Sequence, residues 1–352
     1  MSHAQRRERL RELLAERSLD ALLISNPSNR FYLSGFELHD VQFNESSGFL
    51  VITRSGKDYL LTDPRYQDAA RQFWPEEGLV IYRRNFVETL KQILADSGAR
   101  IGFESRSMTA EMARTLTADR PLEACNGLVE QLRLHKDAEE REALKKSFAL
   151  NHAMLEWVPG ILKEGMTEAE LSWQIERYFR EHGASELAFP SIVAFGANAA
   201  LPHAVPSQRP LVPNTGVLLD VGCRVDSYCS DQTRSFWFGE RESDLFARTR
   251  DLVAEAQKAV LDRMEPSLPL AALAHYAQEV FRKAGVEEHF THGLGHGVGL
   301  DTHELPSFHI YSEGPLEPGM TVTVEPGLYY PGQCGVRLEV TVLVEENGIT
   351  VL

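Results

Sequence analysis

The sequence is poor in cysteine, has no long apolar run, and carries an excess of negative charge. Its four cysteines, Cys125, Cys223, Cys229 and Cys334, form no CxxC pair. That excludes a disulfide framework and a zinc-ribbon pattern, fits a reducing compartment, and leaves the thiols as core residues. No stretch approaches the roughly 18 consecutive apolar residues of a membrane-spanning helix. The opening segment MSHAQRRERLRELLAERSLDALLIS is charged and amphipathic, without the apolar centre of a secretory signal, so the expected location is the cytoplasm. Lysine and arginine number 36 against 51 acidic residues, a formal net charge of -15, which argues against nucleic acid or an anionic membrane surface as a partner. Also missing are the GxSxG nucleophile elbow and the GxxxxGK[ST] phosphate loop.

The 352 residues are enough for two domains of ordinary size. The first third alternates helix-like and strand-like segments. After the strand-like LDALLIS comes a turn at NPSN; GFLVITRSGKDYLLTD then reads as two strands joined at Ser55-Gly56. DPRYQDAARQFW and RNFVETLKQILADSG read as helices and ARIGFES as a further strand, giving a small α/β domain over residues 1–130. A long helix with its acidic residues first, HKDAEEREALKKSFALNHAMLEW, opens the second domain, residues 131–352.

That second domain carries a faint duplication. In MTEAELSWQIERYFREHGA, Thr167 and Glu170 form a capping box, Leu171, Ile175 and Phe179 make an apolar stripe, and Gly183 ends the helix. The plan repeats in LPLAALAHYAQEVFRKAGV, ending at Gly285. Each copy follows a long helical stretch and precedes strands, so two α-then-β halves are expected to meet in a shared sheet.

Each half also places two acids in strand-like sequence, Asp220 and Asp231 in the first, Glu325 and Glu339 in the second. Taken singly, an aspartate at a strand end is an ordinary turn cap, and a glutamate in a strand an ordinary solvent-facing residue. Together, carboxylates flanked by valine, leucine and phenylalanine are costly to bury unless cations neutralise them. Four carboxylates and one imidazole suit a pair of divalent ions, and hard oxygen donors favour manganese, with cobalt or zinc as alternatives. The stretch THGLGHGVGLDTHELP supplies imidazoles at His292, His296 and His303 among four glycines. HELPSFH is not the zinc motif HExxH: its spacing differs, and Pro306 would break the helix that aligns the two imidazoles.

With these residues in view, the chain resembles the Xaa-Pro metallopeptidases of the pita-bread fold, the prolidase and aminopeptidase P group. LPHAVPS, LLDVGCRVDSYCSDQTRSF, HGLGHGVGLDTHE, VEPGLYY and GVRLEVTVLV occur in that group's order over almost the whole length. The resemblance implies an α+β fold: a pita-bread catalytic domain with pseudo-twofold halves, preceded by a smaller α/β N-terminal domain. It implies that Asp220, Asp231, His296, Glu325 and Glu339 hold two divalent metal ions, and that His203, His292 and His303 face substrate. Relatives commonly carry an acid directly after the last ligand, where Val340 stands here.

The reaction so implied is hydrolysis of the bond preceding proline in small peptides, by a homodimer. Paired ions lower the pKa of a shared water, Glu325 takes up and delivers protons, and His203 or His303 stabilises the oxyanion. Arg337 either braces ligands, meets a substrate carboxylate, or is a surface residue; Tyr228 and Tyr329 either line a proline pocket or pack the core. An Xaa-Pro dipeptidase is favoured, with Xaa-Pro aminopeptidase as the alternative. A dipeptidase must recognise the free carboxylate, yet no arginine lies between His303 and Glu325. Arg30 or Arg65, from this or a neighbouring subunit, is the expected substitute. A creatinase-like hydrolase or a non-enzymatic binding module would be expected to lack the ligands.

Overall fold

Asn26 and Pro27 do not make a turn. In the computed structural model, which describes residues 1–40 and 45–352, they start the helix Pro27–Ser34. The Asn26 side chain accepts from Asn29 N, and Pro27 occupies the first turn, where its missing N–H costs nothing. Gly35 closes the helix with a φ of 78°. The chain divides into two compact units, Met1–Arg133 and Leu134–Leu352.

The first unit is built on one six-stranded sheet. Its order runs Leu79–Ile81, Tyr59–Thr62, Phe49–Thr53, Ala21–Ile24, Ile101–Phe103, Glu123–Ala124. Ala21–Ile24 pairs antiparallel with Phe49–Thr53 and parallel with Ile101–Phe103. All four of its residues are fully buried, which is why the segment is an unbroken apolar run rather than an alternating one. The two strands expected on either side of Ser55-Gly56 are present.

In the second unit the capping box of Thr167 and Glu170 starts the helix Glu168–Glu181, and Asp137 with Glu140 does the same for Ala138–Trp157. Leu171, Ile175 and Phe179, spaced by four, are fully buried against Val193, Val217 and Leu219. Asp244–Leu261 and Leu270–Ala284 repeat the arrangement, the latter capped by Gly285 in the left-handed region. There Leu273, Ala277 and Phe281 pack on Val322, Val324 and Val336.

The expected shared sheet does not form as one hydrogen-bonded sheet. Ile192–Phe195, Thr215–Val221 and Gln232–Phe238 make a three-stranded antiparallel sheet in the first half. The second half has a five-stranded sheet centred on Thr321–Val324 and a separate ribbon of Gly327–Tyr330 with Cys334–Arg337. The halves are stitched instead by isolated bonds, Glu339 N to Thr233 O at 3.1 Å, Ser235 Oγ to Arg337 O at 3.0 Å and Thr341 Oγ1 to Asp231 O at 3.3 Å. The second-half strands break near residues 325 and 339, so regular pairing cannot continue across the seam. No helix among the described residues is long and apolar enough to cross a membrane.

Candidate metal centre and substrate cavity

The breaks in the strands are where the acids sit. Only Asp220 lies inside a strand, Thr215–Val221. Asp231 immediately precedes Gln232–Phe238, Glu325 immediately follows Thr321–Val324, and Glu339 lies between Cys334–Arg337 and Val340–Glu345. A residue at a strand end is released from strict in-out alternation, so acids from four segments can converge. His296 is the middle residue of the strand Gly295–Gly297. The glycines beside it permit close backbone approach: a Cβ at Gly295 would strike the Thr323 carbonyl, and one at Gly297 the Leu305 carbonyl.

Carboxylate oxygens of Asp220, Asp231 and Glu339 lie within 4.8 Å of one another. His296 Nε2 stands 3.2 Å from Glu325 Oε1 and 3.5 Å from Asp231 Oδ2. Its Nδ1 donates to the Gly297 carbonyl at 3.0 Å, which fixes the ring and leaves Nε2 toward the acids. Two threonines steady the carboxylates: Thr233 Oγ1 donates to Glu339 at 2.8 Å and Thr323 Oγ1 to Glu325 at 2.9 Å. Sequence reasoning missed both, although each lies two residues from an acid on the same strand face, a spacing that could have found them.

The electrostatics describe a site short of positive charge. Burial, then repulsion from Glu339 and Asp220, holds the Asp231 carboxyl well above its ordinary range. Burial, then Glu325 and Asp220, does the same to Glu339. Asp220 is raised by burial, less so because Arg337 lies against it. For Glu325 burial is outweighed by the bond to His296, so it lies below its ordinary range, and for the same reason His296 is raised to about 9 despite its burial. Asp220 Oδ1 and Glu339 Oε1 are buried with no hydrogen-bond partner among the described residues. Unsatisfied buried acceptors facing like charges are what a bound cation would complete. The oxygen-rich donor set with one imidazole fits hard divalent ions.

Asp220, Asp231, His296 and Glu325 line a cavity of about 600 Å³ together with His203, His292, His303 and Arg337, with an apolar wall that includes Phe189, Ile192 and Val205. Arg337 is not a surface residue; it is 3% exposed. Its three nitrogens are all engaged: Nη2 with Asp220 at 2.6 Å, Nη1 with Tyr329 Oη at 2.7 Å and Pro202 O at 3.3 Å, Nε with Thr233 at 3.0 Å. Tyr329 in turn donates to His292 Nε2 at 2.8 Å, while His292 Nδ1 donates to the Gly293 carbonyl at 2.7 Å. Both nitrogens of His292 are therefore occupied within the protein, and burial holds it below its ordinary pKa, neutral as this network requires. His203 and His303 are exposed, the His303 ring centroid 4.0 Å from that of His296.

Other candidates fall elsewhere. Tyr228 donates to Glu140 at 3.0 Å and is a core residue, since the helix Ala138–Trp157 packs over its strand. Arg30 is fully buried in the first unit, bonded to Gly48 O, Glu37 O and Asp40, and so is not available to a substrate carboxylate. Arg65 is exposed and paired with Asp63 and Glu45. Glu304 of HELPSFH lies in the strand Glu304–Phe308 and pairs with the buried Lys136 at 2.9 Å. Val340 packs against the apolar cluster of the second half. Cys223, Cys229 and Cys334 are buried free thiols.

Residues 142–346 match the family model for metallopeptidase family M24, and residues 6–135 that for the creatinase/prolidase N-terminal domain. An uncharacterized peptidase of Staphylococcus haemolyticus is 33% identical over 98% of this chain and 97% of its own length. Among solved structures, an Xaa-Pro dipeptidase from Bacillus anthracis superimposes with a TM-score of 0.92 at 31% identity, covering 99% of this chain and 97% of that one. An X-Pro aminopeptidase from Thermotoga maritima gives 0.87 at 30% identity, covering 98% and 96%. A prolidase from Pyrococcus horikoshii gives 0.89 at 28% identity, covering 99% and 97%.

Proposed function

Because the chain belongs to metallopeptidase family M24, with a creatinase/prolidase-type domain ahead of its pita-bread catalytic region, we propose that it is an Xaa-Pro dipeptidase. Asp220, Asp231, His296, Glu325 and Glu339 would hold two divalent cations, manganese by preference. The observation that carries this reading is a pair of buried, unsatisfied carboxylate oxygens: Asp220 Oδ1, from a residue in the wall of a cavity lined by acids, imidazoles and apolar side chains, and Glu339 Oε1, from its neighbour. Bound cations would supply an activated water and positive charge for a developing oxyanion.

The protein's own groups do the rest. Thr323 Oγ1 donates to Glu325 and orients its carboxylate, which would take up the proton of the attacking water and return it to the proline nitrogen. His203 and His303, exposed in the cavity, would donate to the carbonyl oxygen as charge develops. Arg337 holds Asp220, and through Tyr329 fixes His292, so both act as positioning residues. An Xaa-Pro bond has no N–H to offer, which suits a site whose wall there is apolar.

One observation favours the alternative, an Xaa-Pro aminopeptidase. Phe189, Pro190, Ser191 and Pro206 line both the cavity and an adjoining groove that reaches the exposed Trp173, room that a longer peptide could use. Manganese-loaded protein incubated with Ala-Pro, Ala-Pro-Ala and Met-Ala-Ala separates the readings. Cleavage of Ala-Pro alone is the expected result, and efficient cleavage of Ala-Pro-Ala would move the assignment to an aminopeptidase. Failure on all three with metal bound would end the Xaa-Pro reading.

A further inference from the structure

A dipeptidase must hold the carboxylate of its substrate, and the cavity's arginine is already spent. Arg337 commits every nitrogen to Asp220, Tyr329, Thr233 and Pro202. Of the imidazoles, His296 faces the acids and His292 has both nitrogens occupied, while His203 and His303 are assigned above to the carbonyl oxygen. One more imidazole lines the same cavity, that of His309, the last residue of HELPSFH, which the rejected HExxH comparison left without a role.

His309 is held in one tautomer and one place. Tyr311 N donates to its Nδ1 at 3.0 Å, so Nδ1 is the bare nitrogen and the proton of the neutral ring resides on Nε2. Nε2 has no partner among the described residues. The loop beneath is braced: His309 N donates to Ser312 Oγ at 2.8 Å, Ser312 N to His309 O at 2.9 Å, and Ser312 Oγ to Ser307 O at 2.7 Å. The side chain stands on the wall that carries His292, since a Cβ on Gly293 would lie 3.4 Å from His309 Cβ.

We propose that His309 is the specificity-determining contact for the substrate's terminal carboxylate, its Nε2–H donating to that group in Xaa-Pro dipeptides. This rests on the dipeptidase reading above. A preoriented donor on a rigid loop loses little entropy on binding, and a hydrogen bond to a charged acceptor is among the stronger ones.

The test compares Ala-Pro with Ala-Pro amide, which lacks the carboxylate, and free proline with prolinamide as inhibitors. His309→Ala is expected to lower the kcat/KM ratio of Ala-Pro over its amide about tenfold or more, through KM, and to weaken inhibition by proline more than by prolinamide. His309→Gln, whose amide nitrogen can occupy the Nε2 position, should restore most of the ratio. Equal losses on both substrates, or an unmoved ratio, would overturn the assignment while leaving the peptidase reading intact. Wild-type protein that cleaves neither substrate would instead remove the Xaa-Pro reading, and His309's role with it.

Discussion

Glu168 and Glu339 are both buried carboxylates of the second unit, 0% and 2% exposed, and they are held in opposite ways. Glu168, the first residue of its helix, accepts from Phe195 N at 2.7 Å, from Asn198 Nδ2 at 2.9 and 3.0 Å, and from Ser207 N and Oγ at 3.0 and 2.5 Å. Neutral donors serve both oxygens, and the helix N-terminus adds a favourable field. Glu339 receives one hydroxyl, from Thr233, and its other oxygen is orphaned beside Asp220 and Asp231. The first arrangement clamps the segment carrying His203, from Phe195 to Ser207, onto the helix. The second leaves acceptor capacity that only a cation or a proton can fill. Burial alone does not distinguish a structural acid from a ligand; unmet acceptor capacity does.

The sharpest way to break that contrast is Asp231→Asn. With several kcal/mol of cation-derived stabilisation at stake, kcat/KM should fall by roughly a thousandfold or more. The metal-free protein should at the same time gain stability, because repulsion with Glu339 and Asp220 is relieved. Metal content, steady-state rates and urea unfolding after chelation read the two effects, and near-normal turnover would take Asp231 out of the ligand set.

The same isosteric change at Glu168 should have the opposite sign. Glu168→Gln turns an amide NH₂ toward existing donors and should cost about 3 kcal/mol by leaving buried groups unpaired. Its urea midpoint should drop while bound metal stays at the wild-type level. A variant as stable as wild type would erase the distinction between clamp and ligand.

Glu104 in the first unit is an intermediate case, whose effect is spread over a range of pH. It accepts from Ser25 N, Asn26 N and Asn29 Nδ2 at 2.8, 2.7 and 2.6 Å, yet burial, with repulsion from Glu130, pushes it to about 7. Its folded pKa lies above the unfolded value, so its contribution to stability is full below about pH 4.5 and is lost as pH rises through about 7. The full span is of the order of 3 kcal/mol. Unfolding of wild type and Glu104→Gln between those limits should show the slope in the first and its flattening in the second.

Local features were legible because their causes are local. The capping box of Thr167 and Glu170, the left-handed cap at Gly285 and the strand pair about Ser55-Gly56 each depend on a few neighbouring residues. Asn26-Pro27 was misread because the same dipeptide serves a turn or a helix start, and packing decided between them. The shared sheet was misread because a repeated pattern foretells repeated elements but not which backbone edges meet.

Sequence by itself determined the chemistry on offer: acids in apolar strand-like runs, imidazoles among glycines, and motifs whose order carries the family resemblance. Tertiary structure alone decided how each group's bonding capacity is spent. It buried Arg337 and used all its nitrogens, occupied both nitrogens of His292, sent Tyr228 to Glu140, and left Nε2 of His309 free in the cavity. The physical reason is that hydrogen-bond satisfaction is a property of side chains brought together from separate segments, up to 117 residues apart for Arg337 and Asp220. No spacing within one segment encodes which of them will find partners.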